Sequence, residues 1–366
     1  MPSPKQAVVF TASFVLLSFL LLRPKTQGIH ILSLVNATQC LEDPFLAFTL
    51  HNDSYDDSLS NGTAASILRD HKSTNVTESG GSTTTKTPDP NSWMRLMEER
   101  FAERLSRMKA ACRRHGASLE YSVSRTLMRN LFYSKKYKLM MCAVGKAGST
   151  TWKSHILAIA GRVVSPKIVH DIPSLQASQQ LGIMGTRAAM LSAATTTVMT
   201  VRHPLDRLVS AYRDKFRNGA LMPTTNPFSQ KALKHLARQG ERGLVSFTFT
   251  EFLKHVLVDQ KEERVENAHW RNYYRTCSPC ALHYDFILNT ETFTEDLKYI
   301  VNKLGITEVD VEWKLNAQAH TTASAHYVHY YTNITQALLR RVLHKYEVDF
   351  QMFGYEVPAT LKALLK

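Results

Sequence analysis

Few local patterns restrict a fold as much as an apolar run that breaks at a glycine turn and restarts at once as a helix. Lys138-Leu-Met-Met-Cys-Ala-Val144 is such a run, Gly145-Lys-Ala-Gly148 breaks it, and Ser149 to Ala160 reads as a helix ending near Gly161. A short, continuously apolar run is the pattern of a strand buried on both faces. The arrangement recurs: Thr195 to Val201 is β-branched and apolar, Arg202-His203-Pro204 turns the chain, and Leu205 to Phe216 has helical spacing. Pro204 suits the first turn of that helix, where its missing N–H costs nothing. Strands alternating with helices imply an α/β fold with a central parallel sheet flanked by helices, P-loop-like in its strand–turn–helix units, with ligands at the C-terminal strand ends. Upstream, Trp93, Leu96, Met97, Phe101, Leu105 and Met108 recur at helical spacing and open the folded part. No repeat at solenoid or propeller periods is present.

The two turns carry the chemistry. A glycine-bearing turn at a helix start presents backbone N–H groups and the positive end of the helix dipole, which together hold a phosphate or sulfate. Lys146 lies inside the first turn, and Ser149, Thr150 and Thr151 add hydroxyl donors. This is not a Walker A loop, and taken alone Gly-Lys-Ala-Gly also reads as a simple turn. The second unit places Arg202 at a strand end and Ser210 two turns into the next helix; arginine can clamp a phosphate with two donors. The competing reading is a surface helix with Leu208, Val209 and Tyr212 inward and Arg207, Arg213 and Lys215 solvated. Two anion sites on separate strand–helix units fit a nucleotide with phosphates at both ends.

The formal net charge is +14 over 366 residues, and it is uneven: residues 26–90 hold eight Asp/Glu against three Lys/Arg, while 91–366 hold 23 against 39. That basic part suits anionic partners such as nucleotides, nucleic acid, acidic glycans or membrane surfaces, without choosing among them. Ala7 to Leu22 is apolar apart from Thr11, Ser13 and Ser18, with Lys5 before it and Arg23 and Lys25 after it. We read residues 1–6 as a cytoplasmic tail, 7–22 as a signal-anchor, 23–91 as a flexible stem and 92–366 as a lumenal domain. A cleaved signal peptide is the alternative for 7–22. Asn36, Asn52, Asn61, Asn75 and Asn333 are N-glycosylation sequons, four of them in the Ser/Thr-rich stem. In an oxidising lumen the five cysteines, Cys40, Cys112, Cys142, Cys277 and Cys280, are open to pairing. Cys277-Ser-Pro-Cys280 admits a redox pair, half a zinc site or the end of a structural disulfide, while Cys142, in an apolar strand, reads as a buried thiol.

Residues 142–153, Cys-Ala-Val-Gly-Lys-Ala-Gly-Ser-Thr-Thr-Trp-Lys, resemble the 5′-phosphosulfate loop of the Golgi carbohydrate sulfotransferases that include the chondroitin and dermatan 4-O-sulfotransferases. Residues 201–216, Val-Arg-His-Pro-Leu-Asp-Arg-Leu-Val-Ser-Ala-Tyr-Arg-Asp-Lys-Phe, resemble that family's 3′-phosphate motif. His269-Trp270, Cys277-Ser-Pro-Cys280 and Tyr284-Asp-Phe286 follow in the family's order. The resemblance implies a sulfotransferase fold, PAPS (3′-phosphoadenosine-5′-phosphosulfate) as cosubstrate, no metal, no nucleic-acid partner, and a glycan acceptor such as a glycosaminoglycan or a GalNAc-containing chain. It places the 5′-phosphosulfate on Gly145, Lys146, Ala147, Gly148, Ser149, Thr150 and Thr151. It places the 3′-phosphate within Arg202, His203, Pro204, Leu205, Asp206, Arg207, Leu208, Val209 and Ser210, on Arg202 and Ser210 above all. It makes Lys146 catalytic at the leaving oxygen and implies a type II protein of the Golgi membrane.

The sequence departs from the family at Gly145, where the family usually has Pro, at Ser149 and Thr151, and at His203, where an acidic residue is common. An acceptor hydroxyl needs a base; His170, between the two motifs, is the first candidate, with His203 and His269 as rivals. Two other classes stay open: a lumenal glycan-binding protein that keeps the fold without turnover, and a lumenal kinase, against which the absence of Walker A and Asp-Phe-Gly signatures speaks.

Overall fold

The structure is a computed structural model, and it describes residues 90–116, 125–162, 164, 169, 172–238, 240–261, 266–313 and 327–366. The apolar segment 7–22, the stem as far as residue 89, four of the sequons, Cys40 and His170 lie outside the described residues. No described helix is long and apolar enough to cross a membrane.

In chain order, α1 (Pro90–His115) and α2 (Arg125–Asn130) lead into β1 (Leu131–Ser134) and β2 (Leu139–Cys142), then α3 (Ser149–Ile159), α4 (Ala177–Leu191), β3 (Thr196–Val201) and α5 (Pro204–Lys215). A two-stranded ribbon of β4 (Met222–Pro223) and β5 (Leu244–Val245) surrounds α6 (Pro227–His235), and α7 (Phe249–Asp259) and α8 (Tyr273–Cys277) precede β6 (Phe286–Asn289). The chain ends with α9 (Phe293–Leu304), α10 (Gln336–Lys345), α11 (Glu347–Phe353) and α12 (Ala359–Ala363).

The main sheet has the order β1-β2-β3-β6. β2, β3 and β6 run parallel, with Cys142 opposite Met199 and Val201 opposite Asn289. The expected central parallel sheet is present as β2-β3-β6, and one edge adds to it: β1 lies antiparallel to β2, joined by a tight turn over Lys135–Lys138. A hairpin partner needs no crossover helix, so the helix–strand alternation that signals parallel pairing is missing there.

Alternation along the strands sends side chains to two cores. Leu139, Met141, Val198 and Leu288 face a cluster with α1, α3 and α9, whereas Met140, Cys142, Met199, Val201 and Ile287 face one with α2, α8 and α11. A third core, made by α5, α7 and the C-terminal helices, centres on Phe216, Phe252, Trp270 and Tyr331. On α1 the buried stripe is Met97, Phe101 and Met108; Leu96, read with it from spacing, is exposed.

The cysteines form two disulfides, Cys142–Cys277 and Cys112–Cys280. Cys142 is therefore not the free buried thiol expected from its apolar strand. Of the three readings of Cys277-Ser-Pro-Cys280, the structural disulfide holds, with each cysteine going to a different distant partner. One bond ties β2, three residues before Gly145, to α8; the other ties α1 to the turn after α8.

Candidate anion-binding site

The parallel strands β2, β3 and β6 end on the same edge, and each is followed by a turn that contributes to one rim. After β2, Ala147 N–H donates to the Val144 carbonyl (3.1 Å) and closes the turn. Lys146 (φ 66°) and Gly148 (φ 72°) both take left-handed conformations. For lysine that backbone is uncommon and strained, a condition that concentrates at functional sites. Gly148 is the N-cap of α3, so the amides of Ser149, Thr150 and Thr151 form a first helical turn with no intrahelical carbonyl to meet. Two left-handed residues before a helix start give the backbone concavity that holds anions. Trp152 anchors this start by donating its Nε1–H to Thr200 Oγ1 on β3 (2.6 Å).

After β3, the Arg202 backbone is held by one side chain: Tyr273 Oη accepts from Arg202 N–H (2.8 Å) and donates to Arg202 O (3.1 Å). The Arg202 guanidinium grips Asp206 with two donors (2.7 and 2.9 Å) and reaches the Lys146 carbonyl at 3.4 Å, so the two turns meet. Lys146 Nζ in turn bonds Asp214 Oδ2 (2.9 Å), which Lys215 shares at 3.3 Å. Burial pulls the Lys146 ammonium below the usual lysine range against Asp214, with Lys215 and Arg202 adding repulsion. Burial works to raise the Asp214 carboxyl, but the two lysines outweigh it and leave it lowered.

Asp206, Ser210 and Asp214 are spaced four residues apart and line one face of α5. Eight residues of helix advance about 12 Å, with Arg202 meeting one end of this row, Lys146 the other, and Ser210 between them. Asp214 was absent from the sequence-based candidates, although its i, i+4 relation to Ser210 was a usable signal.

His203 caps α5. Its Nδ1 accepts from Leu205 N–H (3.3 Å), which leaves Nε2–H to donate to the Glu356 carbonyl (2.9 Å). Both ring nitrogens are thus used in the neutral form, and burial lowers the imidazole's pKa in the same sense. Capping explains the family departure here: a carboxylate at this position does the same job. His203 N–H also donates to Glu291 in the turn after β6 (3.1 Å).

Arg207 is only 1% exposed, which corrects the picture of a solvated arginine on a surface helix. Its three nitrogens donate to the carbonyls of Gly145 (2.9 Å), Ala268 (3.0 Å) and Arg271 (2.7 Å), and the group stacks over the Tyr273 ring at 4.8 Å. It fixes the start of the β2–α3 turn instead of facing solvent. Pro204, Leu205, Leu208 and Val209 are buried as well. Asp206 offers an anion to Arg202, so within residues 202–210 the side chains able to meet an external anion are Arg202 and the half-buried Ser210.

At Gly145, a Cβ would meet the Ala268 carbonyl at 3.2 Å and His269 Cα and Cδ2 at 3.5 Å. The segment Asn267–Trp270 thus packs directly on the first turn. Asn333, the one sequon among the described residues, is exposed before α10, whose N-cap is Thr335.

Two cation-bearing turns on consecutive strand–helix units, closed against each other, give this α/β protein a rim suited to an anion. The chain belongs to the sulfotransferase family, which it matches over residues 129–356. It is 30% identical over 250 residues to carbohydrate sulfotransferase 14 of Mus musculus, covering 65% of this chain and 63% of that protein. It is 27% identical over 290 residues to carbohydrate sulfotransferase 9 of Homo sapiens (73% and 62%), and 26% identical over 278 residues to carbohydrate sulfotransferase 10 of Rattus norvegicus (70% and 76%). The matches to carbohydrate sulfotransferase 14 span 63 to 65% of those relatives' length. No solved structure matches the chain.

Proposed function

We propose that this chain is a PAPS-dependent carbohydrate sulfotransferase acting on a glycan hydroxyl. The observation that carries the reading is the closed pair of turns: Lys146 beside the first-turn amides of α3, and Arg202 with Ser210 on α5, joined where Arg202 reaches the Lys146 carbonyl. These donors fit a nucleotide with anions at both ends. The segment Gly145 to Thr151 would hold the 5′-phosphosulfate, and Arg202 and Ser210 the 3′-phosphate. PAPS, when bound, supplies an activated sulfuryl group on a phosphate oxygen. Lys146 would place its ammonium against that oxygen, where charge grows as the bond breaks, a contribution greatest in the transition state. His170 is the resemblance-based choice for the proton acceptor.

The favoured acceptor is the 4-hydroxyl of GalNAc in chondroitin or dermatan, in keeping with the basic surplus of residues 91–366. We place the protein in the Golgi membrane with its domain in the lumen, anchored through 7–22. The two disulfides and the exposed sequon at Asn333 support an oxidising, glycosylating compartment. The test is transfer of labelled sulfate from PAPS to a panel of desulfated glycosaminoglycans and GalNAc glycans, with Lys146→Ala beside the wild type. Transfer that falls at least about 100-fold in the variant, and that 3′,5′-ADP but not ATP inhibits, supports the reading. PAPS binding without transfer to any acceptor would favour a glycan-binding protein.

A further inference from the structure

Beside the first turn lies a histidine whose hydrogen bonds determine where its proton sits. The Asn267 side-chain oxygen accepts from the backbone N–H of His269 (3.0 Å) and contacts His269 Nδ1 at 2.7 Å. A backbone N–H can only donate, so the Asn267 atom facing it is the oxygen, and Nδ1 must carry the hydrogen. The lone pair is then on Nε2. Asn267 is itself fixed, since its N–H donates to Asp259 Oδ2 (2.8 Å), which also takes the Trp270 indole N–H (2.6 Å) and whose carboxylate pairs with Lys231. This chain of a buried carboxylate, an amide and an imidazole presets one tautomer and one ring orientation, as a base needs.

The ring's position matches that task. Its Cδ2, the carbon next to Nε2, is the side-chain atom nearest to where a Cβ on Gly145 would stand. The charged groups around it are those of the anion site: Lys215, Lys146 and Arg207 disfavour its protonation, and Asp214 favours it. Burial first, then Lys215 and Lys146, lower its pKa to about 3, so in the free protein the ring is neutral. An anionic nucleotide on Lys146 would offset those cations and raise the ring's basicity when the substrate is present.

Resting on the sulfotransferase reading, we propose that His269 Nε2 is the proton acceptor for the attacking glycan hydroxyl. The hydroxyl oxygen bonds to sulfur as its proton passes to Nε2. The bond between sulfur and the bridging phosphate oxygen breaks, its electron pair leaves with 3′,5′-ADP, and Lys146 faces that oxygen. His203 does not compete, because both its nitrogens are engaged, Nδ1 in capping α5 and Nε2 with the Glu356 carbonyl. His170 is the remaining alternative.

The test compares His269→Gln and His170→Gln in the full chain. Loss of a general base typically costs 10²- to 10⁴-fold. The expected result is a fall in kcat of at least about 100-fold for His269→Gln, with 3′,5′-ADP affinity within about threefold of wild type, and little change for His170→Gln. Retained kcat in His269→Gln, a parallel loss of 3′,5′-ADP affinity, or an equal fall in His170→Gln would overturn the assignment. A second arm does not depend on finding an acceptor. In protein carrying ¹⁵N-histidine, with the signal assigned through His269→Gln, the ring should show the Nδ1–H tautomer and become more basic on adding 3′,5′-ADP. An Nε2–H tautomer, or a ring unmoved by 3′,5′-ADP, would refute the proposal. Failure of wild-type transfer with the expected ring behaviour would count against the sulfotransferase reading and not against this placement of the proton.

Discussion

Replacing Arg207 with lysine keeps the charge and removes the fork. The guanidinium meets three carbonyls at 2.7 to 3.0 Å in a site 1% exposed. An ammonium on a shorter reach can keep one of them, leaving two part-buried carbonyls unpaired at about 1–3 kcal/mol each. The expected destabilisation is about 4 kcal/mol, with half and one and a half times that as bounds. At roughly 2–4 °C per kcal/mol for a domain of this size, the melting temperature should drop by on the order of 10 °C. Arg213→Lys, on the exposed face of the same helix, is the matched control and should stay within about 0.5 kcal/mol. Thermal unfolding of wild type and the two variants measures this directly. Because one released carbonyl belongs to Gly145, Arg207→Lys should also raise KM for PAPS at a temperature where it remains folded. A variant that melts with the Arg213→Lys control would refute the view that this arginine is spent on backbone carbonyls.

Three further outcomes follow from the same contacts. Tyr273→Phe keeps the ring under Arg207 but loses both bonds to the Arg202 backbone; KM for PAPS should rise on the order of tenfold, about 1.4 kcal/mol, with kcat much less affected, as steady-state kinetics will show. Asp349 is raised to about 7 by burial, against the pull of Arg207 and its hydrogen-bond donors. Its folded pKa lies above the unfolded value, so stability is fullest below pH ~4 and declines as pH rises toward about 7. Asp349→Asn should flatten that slope in denaturant titrations across this range. Replacing Cys142 and Cys277 together with serine should cost about 2–4 kcal/mol and weaken 3′,5′-ADP binding in calorimetry, because the strand before the first turn is no longer tied to α8.

Local chemistry was legible in the sequence and long-range pairing was not. The units β2–α3 and β3–α5 announce themselves because a buried strand, a glycine or proline and a helix start are contiguous. Lys146 and Arg202 are visible for the same reason, as cations in the turns. Arg207 looked solvated because its helix is amphipathic and its neighbours Arg213 and Lys215 are charged; its partners, the carbonyls at 145, 268 and 271, are far off in sequence or carry no side-chain signal. Cys142 looked like a thiol since its partner is 135 residues away. β1 passed unread because three apolar residues and a serine after a short helix, beside two lysines, carry no periodicity. The departures at 145 and 203 became intelligible only with coordinates, one as a close approach to the Ala268 carbonyl and the other as a helix cap.

The carboxylates on α5 bear on what the site will accept. With Asp214 on Lys146 and Asp206 on Arg202, an incoming anion enters as a competitor against ligands tethered a few ångströms away. A tethered rival has a high effective concentration, so chloride or a single carboxylate gains little by replacing it. A molecule that engages both cations at once, with more than one charge at each end, displaces two internal rivals for one loss of translational freedom. On the proposed reading, the aspartates act as a threshold that screens out small ions before the shape of a nucleotide is read.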